Sequence, residues 1–271
     1  MFSKKLTAVL VALGVVASTS ALFNEINIKG AFADSVKQNV VYTKDNASVA
    51  SKDDFDVTGA EEEAYRDKSL EVLKNYFNIS VKENENFKFS ACVLNEKTLD
   101  ELKVKEKETI KELYDNKEIA KEEYDERIAF SEKNNDGLKN RVEKLKHGMI
   151  QTGWVGVNNE NKCYMFDFNE NTKEVDSVLV SEGIPKESDV PLKISEEELK
   201  NTAEAFIKQH KLGDLENPKC ILVKGKRLFY QDENDSSKKV EVGINSFTGK
   251  VSSFSVKEYA DFEYNRVINE K

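Results

Sequence analysis

His147 and His210 are the first residues to weigh for chemistry, because imidazole is the side chain whose ordinary pKa lies closest to neutrality. Both stand at the C-terminal ends of charged, helix-forming stretches. A cationic side chain is favoured there by the helix dipole, and that role suffices for both. The chain carries no Gly-x-Ser-x-Gly, no His-Glu-x-x-His and no phosphate-loop pattern. Glu61-Glu-Glu63 and Glu196-Glu-Glu198 bring carboxylates together, but each run sits where a helix begins and acidic groups are favoured. Asp232-Glu-Asn-Asp235 has oxygen ligands suited to calcium, yet it lacks the glycine and closing glutamate of an EF-hand, so it reads as a solvated loop. Cys92, Cys163 and Cys220 match no zinc spacing. No catalytic, cofactor-binding or metal-ligating set is assigned, and the chain is read as a non-enzyme with no cofactor. The residues left for recognition are aromatic. Trp154, which packs in the core or, if exposed, would suit a partner surface, and Tyr114 and Tyr124 are the candidate partner-binding residues.

The elements that position these residues repeat. Lys239–Val256 alternates Val240, Val242 and Ile244 with Glu241 and Gly243, turns through Asn245-Ser-Phe-Thr-Gly249, and resumes with Val251, Phe254 and Val256. That is a hairpin. Laying Thr172 on Thr248 brings Tyr164, Phe166 and Phe168 onto Val240, Val242 and Ile244. The same overlay places Val175, Val178 and Val180 on Val251, Phe254 and Val256. The first copy lacks the turn glycine, and Asn171 is expected to take the left-handed conformation in its place.

Upstream of each hairpin lie a helix and two further strands. In the first unit Thr58 with Glu61 reads as a capping box, followed by a helix over 61–77, a strand carrying Phe87, Phe89, Ala91 and Val93, and a strand over 149–157. In the second, Ser195 with Glu198 opens a helix running to Lys211, and strands follow at 220–223 and 227–231. Residues 97–146 interrupt the first unit where the second has only Lys224-Gly225-Lys226. Three helices are expected in this insertion, around Leu99–Tyr114, Ile119–Ile128 and Leu138–Leu145. They should share a core of their own, built from Leu113, Tyr114, Tyr124, Ile128, Leu138 and Val142. Leu113–Arg127 is similar to the short helical hairpin of SHOCT modules. The insertion's ends must meet, because Val93 and Met149 fall on neighbouring antiparallel strands. Cys92 and Cys163 both lie out of phase with the bulky strand residues and share an outer sheet face. A bond between them and two free thiols are the alternatives.

Lys4 and Lys5, the apolar run Leu6–Ala17 and Ala31-Phe-Ala33 read as a secretion signal over 1–33, the alternative being an uncleaved anchor. Its removal takes the formal charge from −9 to −11. A surface that acidic disfavours nucleic acid and anionic membranes as partners, and no integral membrane span is expected after cleavage. The abundance of Lys, Asn, Glu and Ile suggests an AT-rich, Gram-positive source. The organisation expected is a polar lead-in over 34–58, a first unit over 59–182, a Gly- and Pro-bearing linker over 183–193, a second unit over 194–258 and a C-terminal tail over 259–271. The fold class is α+β, with two tandem units of a helix on a small antiparallel sheet.

Ile194-Ser-Glu-Glu-Glu-Leu199, Arg227-Leu-Phe-Tyr230 and Val240–Val251 carry a resemblance to the PepSY domain. Asn245 stands where that family usually has an Asp. The second unit is similar over roughly its whole length, the first at its helix and final hairpin. The resemblance implies a non-catalytic, extracytoplasmic module that binds a protein, regulating or chaperoning a peptidase or cell-wall hydrolase. A cell-surface structural or small-ligand-capturing protein is the other reading.

Overall fold

A computed structural model describes residues 57–84, 87–156, 162–182 and 190–269. The signal, nearly all of the lead-in and residues 183–189 of the expected linker lie outside these residues. The chain runs α1 (Ala60–Phe77), β1 (Phe87–Leu94), α2 (Glu96–Asp115), α3 (Lys121–Leu145), β2 (Met149–Gly156), β3 (Cys163–Asn169) and β4 (Val175–Ser181). It continues through α4 (Glu196–His210), a 3-10 turn (Leu212–Asp214), β5 (Pro218–Lys224), β6 (Arg227–Asp232), β7 (Lys239–Ile244), β8 (Val251–Val256) and α5 (Lys257–Asn269).

The α+β class and the repeat hold, and the two units share one sheet. All eight strands form an antiparallel sheet in the order β1-β2-β3-β4-β8-β7-β6-β5. Its centre is the pairing of β4 with β8, where Ser177, Val178 and Leu179 face Ser255, Phe254 and Ser253. Val178 and Phe254 are equivalent positions of the repeat, so the strands meet about a local twofold axis. The hairpins agree down to their irregularities. Each has a register shift before its turn, between Asp167 and Phe168 in one and between Gly243 and Ile244 in the other. In each turn an asparagine carboxamide oxygen, of Asn169 or Asn245, accepts backbone N–H groups two and three residues on.

The sheet is covered on both faces. On the first face lie α1 and α4, over a core that includes Leu73, Trp154, Phe166, Phe168, Phe206, Tyr230, Val242 and Phe254. Ser195 and Glu198 make the expected capping box at α4. The box expected at Thr58 does not form; Gly59 is the N-cap of α1, with φ of 67° and no side-chain cap. On the second face lie the α2–α3 hairpin and α5. Residues 259–269, expected as part of a tail, belong to α5, which buries Tyr259, Ala260, Glu263 and Val267.

The insertion contains two long helices rather than three. Its ends meet as expected, with Leu94 opposite Met149. Its core is not its own throughout, because Leu99, Leu102, Leu138, Val142 and Leu145 pack with Cys92, Leu94, Met149 and Met165 of the sheet. Cys92 and Cys163 do share that second face, and both are free thiols. Cys92 lies opposite Gln151, and Cys163 opposite Val155. Two strand spacings and roughly 13 Å along the strands therefore separate them. Burial pushes the Cys163 thiol up to about 12.

The left-handed residue of the first turn is Lys173 (φ 61°), the counterpart of Gly249 (φ 69°); Asn171 does not take that role. A side chain in this conformation costs about 1 kcal/mol, which glycine avoids. Gly249→Ala should therefore destabilise by about 1 kcal/mol, while Lys173→Gly should stabilise by roughly half that. Urea titration of both variants checks the pair. A loss on Lys173→Gly would mean that its 3.5 Å ion pair with Glu61 outweighs the backbone strain.

Candidate functional site

Several buried ionisable side chains gather where the sheet, α3 and α5 meet on the second face. Arg227 projects from β6, donating from Nε to Glu241 on β7 (2.5 Å) and from a terminal nitrogen to Glu263 on α5 (2.7 Å). Arg266, one turn along α5, also donates to Glu263 (2.7 Å). Arg141 reaches in from α3 and lies 3.9 Å from both Asp167 on β3 and Glu263. Its guanidinium covers the ring of Tyr259, whose hydroxyl donates to Asp167 at 2.6 Å. Gln151 on β2 donates to the other Asp167 oxygen at 2.8 Å. Three guanidinium groups thus stand among three carboxylates.

Burial decides what this cluster can do. Glu241 is pushed up by burial, against the pull of Arg227. For Glu263 the neighbouring Arg141, Arg266 and Arg227 outweigh burial and hold it below its ordinary value. Burial pushes Tyr259 far up, so its hydroxyl remains a hydrogen-bond donor. A small recess lined by Ser177, Ser253, Ser255, Glu241, Tyr259 and Glu263 has room for about one water. The arrangement holds strand, hairpin and helix together.

The histidines and the acidic loop picked out from the sequence make other contacts, although His147 lies 3.9 Å from Asp176, which neighbours Asp167 of this cluster. His147 contacts the Gly148 carbonyl through Nδ1 (2.9 Å), and its Nε2 meets the Asn169 carboxamide nitrogen at 3.1 Å. His210 stacks on Tyr76 with ring centroids 4.5 Å apart, and burial lowers its pKa. The Asp232 carboxylate accepts backbone N–H groups of Glu216, Asn217 and Asn234. These donors hold it below its ordinary value. Among the described residues, no group of three or more His, Cys, Asp or Glu side chains is placed to hold a metal ion.

Trp154 is not a surface residue. It is 1% exposed, packs against Phe87 and Phe89, and donates from Nε1 to Ser69 of α1 at 2.8 Å. Its position follows from the pleat, which turns it toward the helix face along with Thr152 and Ile150. Tyr230 is its equivalent in the second unit and donates to the Lys200 carbonyl of α4 at 3.2 Å. Each helix is thus tied by one aromatic donor from the second strand of its own unit.

Tyr114 and Tyr124 are brought together. Their rings meet at a tilt of 39°, with centroids 4.9 Å apart, where α2 and α3 join, and Tyr114 is 36% exposed. By helix rise, α2 continues about 20 Å past Leu102, its last side chain in the sheet-packed cluster. Between base and tip lies a polar layer made by Glu106, Ser131 and Asn135. The tip beyond it buries Ile110 and Ile119.

The residues that sequence reasoning missed are Arg141, Asp167, Arg227, Glu241 and Glu263. Glu241 and Asp167 stand on the strand face opposite the bulky residues, a face expected to meet solvent. The signal that could have found them is the spacing of Tyr259, Ala260, Phe262, Glu263 and Val267, which marks an amphipathic helix in need of a surface.

Trp154→Ala should cost about 3–5 kcal/mol, the usual loss for a buried tryptophan, and Trp154→Phe less. Chemical denaturation measures both, and a near-neutral alanine variant would contradict this placement. Asp176, buried beside His147, Asp167, Glu258 and Lys257, has its pKa raised by burial to about 6. A carboxyl raised on folding binds its proton more tightly in the folded state. Its penalty is therefore absent below about pH 4, grows as pH rises to about 6, and is constant above that. Asp176→Asn should stabilise by on the order of 1–3 kcal/mol at pH 7.5 and much less at pH 4. Equal gains at both pH values would exclude titration of this group as the cause.

No family model, no curated protein and no solved structure matches this chain.

Proposed function

We propose that this protein is a secreted, non-catalytic protein-binding module that regulates or chaperones an extracellular hydrolase, holding it through the tip of the α2–α3 hairpin. The observation that carries this reading is that the hairpin outgrows its structural task. Leu99, Leu102, Leu138, Val142 and Leu145 cover the second face of the first unit. The helices then continue beyond the polar layer to a tip carrying the paired, partly exposed Tyr114 and Tyr124. Exposed aromatic rings at the end of a helical hairpin are well suited to a protein interface. The extracellular setting rests on the basic, apolar and small-residue pattern of 1–33, and the hydrolase on the PepSY resemblance. Among the described residues no helix is long and apolar enough to cross a membrane.

The decisive cut lies at the polar layer. Removing all of 97–146 would expose Leu94, Met149 and Met165 and take Arg141 from its carboxylates, so that larger deletion should unfold the first unit. Glu106 and Ser131 are already hydrogen-bonded at 2.6 Å. A short glycine-containing turn replacing 107–130 should therefore leave the sheet intact, because closure entropy changes slowly with loop length. The shortened protein should keep its β-sheet circular dichroism and lose a hydrolase that co-purifies stoichiometrically with the full chain from culture medium. Undiminished co-purification would move the interface to the sheet scaffold.

A further inference from the structure

The polar layer of the hairpin is unusual for what it lacks. Glu106 is 0% exposed, and one carboxylate oxygen receives the Ser131 hydroxyl at 2.6 Å and the Asn135 carboxamide nitrogen at 2.7 Å. Its other oxygen, Oε1, has no hydrogen-bond partner, and neither does the Asn135 side-chain oxygen. The layer therefore has more acceptors than donors. The nearby cations are engaged elsewhere, Lys107 with Glu132 at 2.7 Å and Lys103 with Asp136 at 3.9 Å. Ser131, Asn134 and Asn135, the residues presented from α3, are all neutral; burial outweighs the hydrogen bonds from Ser131 and Asn135 and the charge of Lys107 on Glu106's own helix, all of which favour the ionised form. A buried carboxylate so placed is costly when ionised and inexpensive when protonated. It also sits between two apolar layers, the sheet-packed base and the tip around Ile110 and Ile119. That is a position where local opening costs the scaffold nothing.

We propose that the Glu106–Ser131–Asn135 layer is a proton-operated break in the hairpin. With Glu106 protonated, the two helices close along their whole length. With Glu106 ionised, the part beyond it, residues 107–130, opens to let water reach the carboxylate, while the base stays on the sheet. The proton is exchanged with solvent and no other group changes state. Burial raises the Glu106 carboxyl above its ordinary value. The closed form is accordingly favoured below that ordinary value and loses its advantage as pH rises through the raised one. If the tip holds the partner as proposed above, acidity sets how firmly it is presented, although the break itself does not rest on that reading.

Hydrogen exchange on the full chain, read as protection factors so that the intrinsic pH dependence of exchange is removed, tests the break without any partner. Between pH 5 and pH 8, peptides from 107–130 should lose protection by roughly threefold or more. Peptides from β6 and β7 should change together by less. Glu106→Gln, which keeps the shape but cannot ionise, and Glu106→Leu, which removes the acceptors, should both hold tip protection constant over this range. Constant tip protection in the unaltered protein would overturn the proposal. So would a loss that survives in Glu106→Gln, or a loss shared equally by β6 and β7, since the opening would then not be local or not belong to Glu106.

Discussion

Everything in this molecule hangs on the short contact between β4 and β8. Each unit, a helix on four strands, has one edge made by its last strand. An open edge is a row of unmet donors and acceptors. Here each edge closes the other, through Ser177, Val178 and Leu179 against Ser255, Phe254 and Ser253. Because Val178 and Phe254 are equivalent positions, one pairing geometry serves both strands, and the first-face cores merge beneath α1 and α4. Tyr76 and Phe77 of α1 and Phe206 of α4 gather around Phe254 at this junction. A continuous eight-stranded sheet follows, and with it a second face too large and too apolar to leave in water.

The two units meet that requirement with unrelated pieces of chain. Over the first unit, the α2–α3 hairpin covers Cys92, Leu94, Met149 and Met165. Over the second, α5 does so, with Tyr264 against Phe229 and Glu263 against Arg227. The covers touch at Arg141 and Tyr259, and there the carboxylates of β3 and β7 would otherwise be buried alone. Breaking a buried ion pair from one side costs roughly 3–5 kcal/mol, whereas even a paired set contributes little net stability, and here Arg141 Nε and Nη1 and Glu263 Oε1 have no hydrogen-bond partner. The network is better understood as fixing where the two covers sit than as a source of stability. Each guanidinium makes one docking position far cheaper than its neighbours.

What the sequence disclosed follows from how local each determinant is. The strand spans, the turn positions and the equivalence of Thr172 with Thr248 are written in a period of two and in Asn-containing turns, and all of them are found in the structure. Lys173 was opaque because the turn's φ is imposed by the Asn169 carboxamide bonds and the register shift beside it. The residue at that position tolerates the strain rather than signalling it. Trp154 could have faced either way until its partner strand was known, since a one-residue slip reverses every side chain. The second face was least legible. Glu241, Gly243, Ser253 and Ser255 read as a solvated surface, and only a cover from a distant part of the chain makes them buried. At the hairpin tip, Tyr114 and Tyr124 were legible as residues, but their contact depended on α3 running unbroken from Lys121 to Leu145.

The hairpin shows how a scaffold and an adaptable element can share one pair of helices. A uniformly apolar seam from Leu99 to Tyr124 would have tied the tip's stability to that of the sheet, so that any change at the tip would be felt in the core. Glu106, Ser131 and Asn135 interrupt the seam. They satisfy one another only in part, which keeps the cost of parting there low. Below the layer, Leu102, Leu138 and Val142 belong to the sheet's own core. Above it, Ile110, Ile119 and the tyrosine pair belong to nothing else, and their packing can change without disturbing a strand. A buried polar layer in a helix pair is usually understood as a device for register. At this height on the hairpin it also draws the line between what must hold the fold and what is free to do something else.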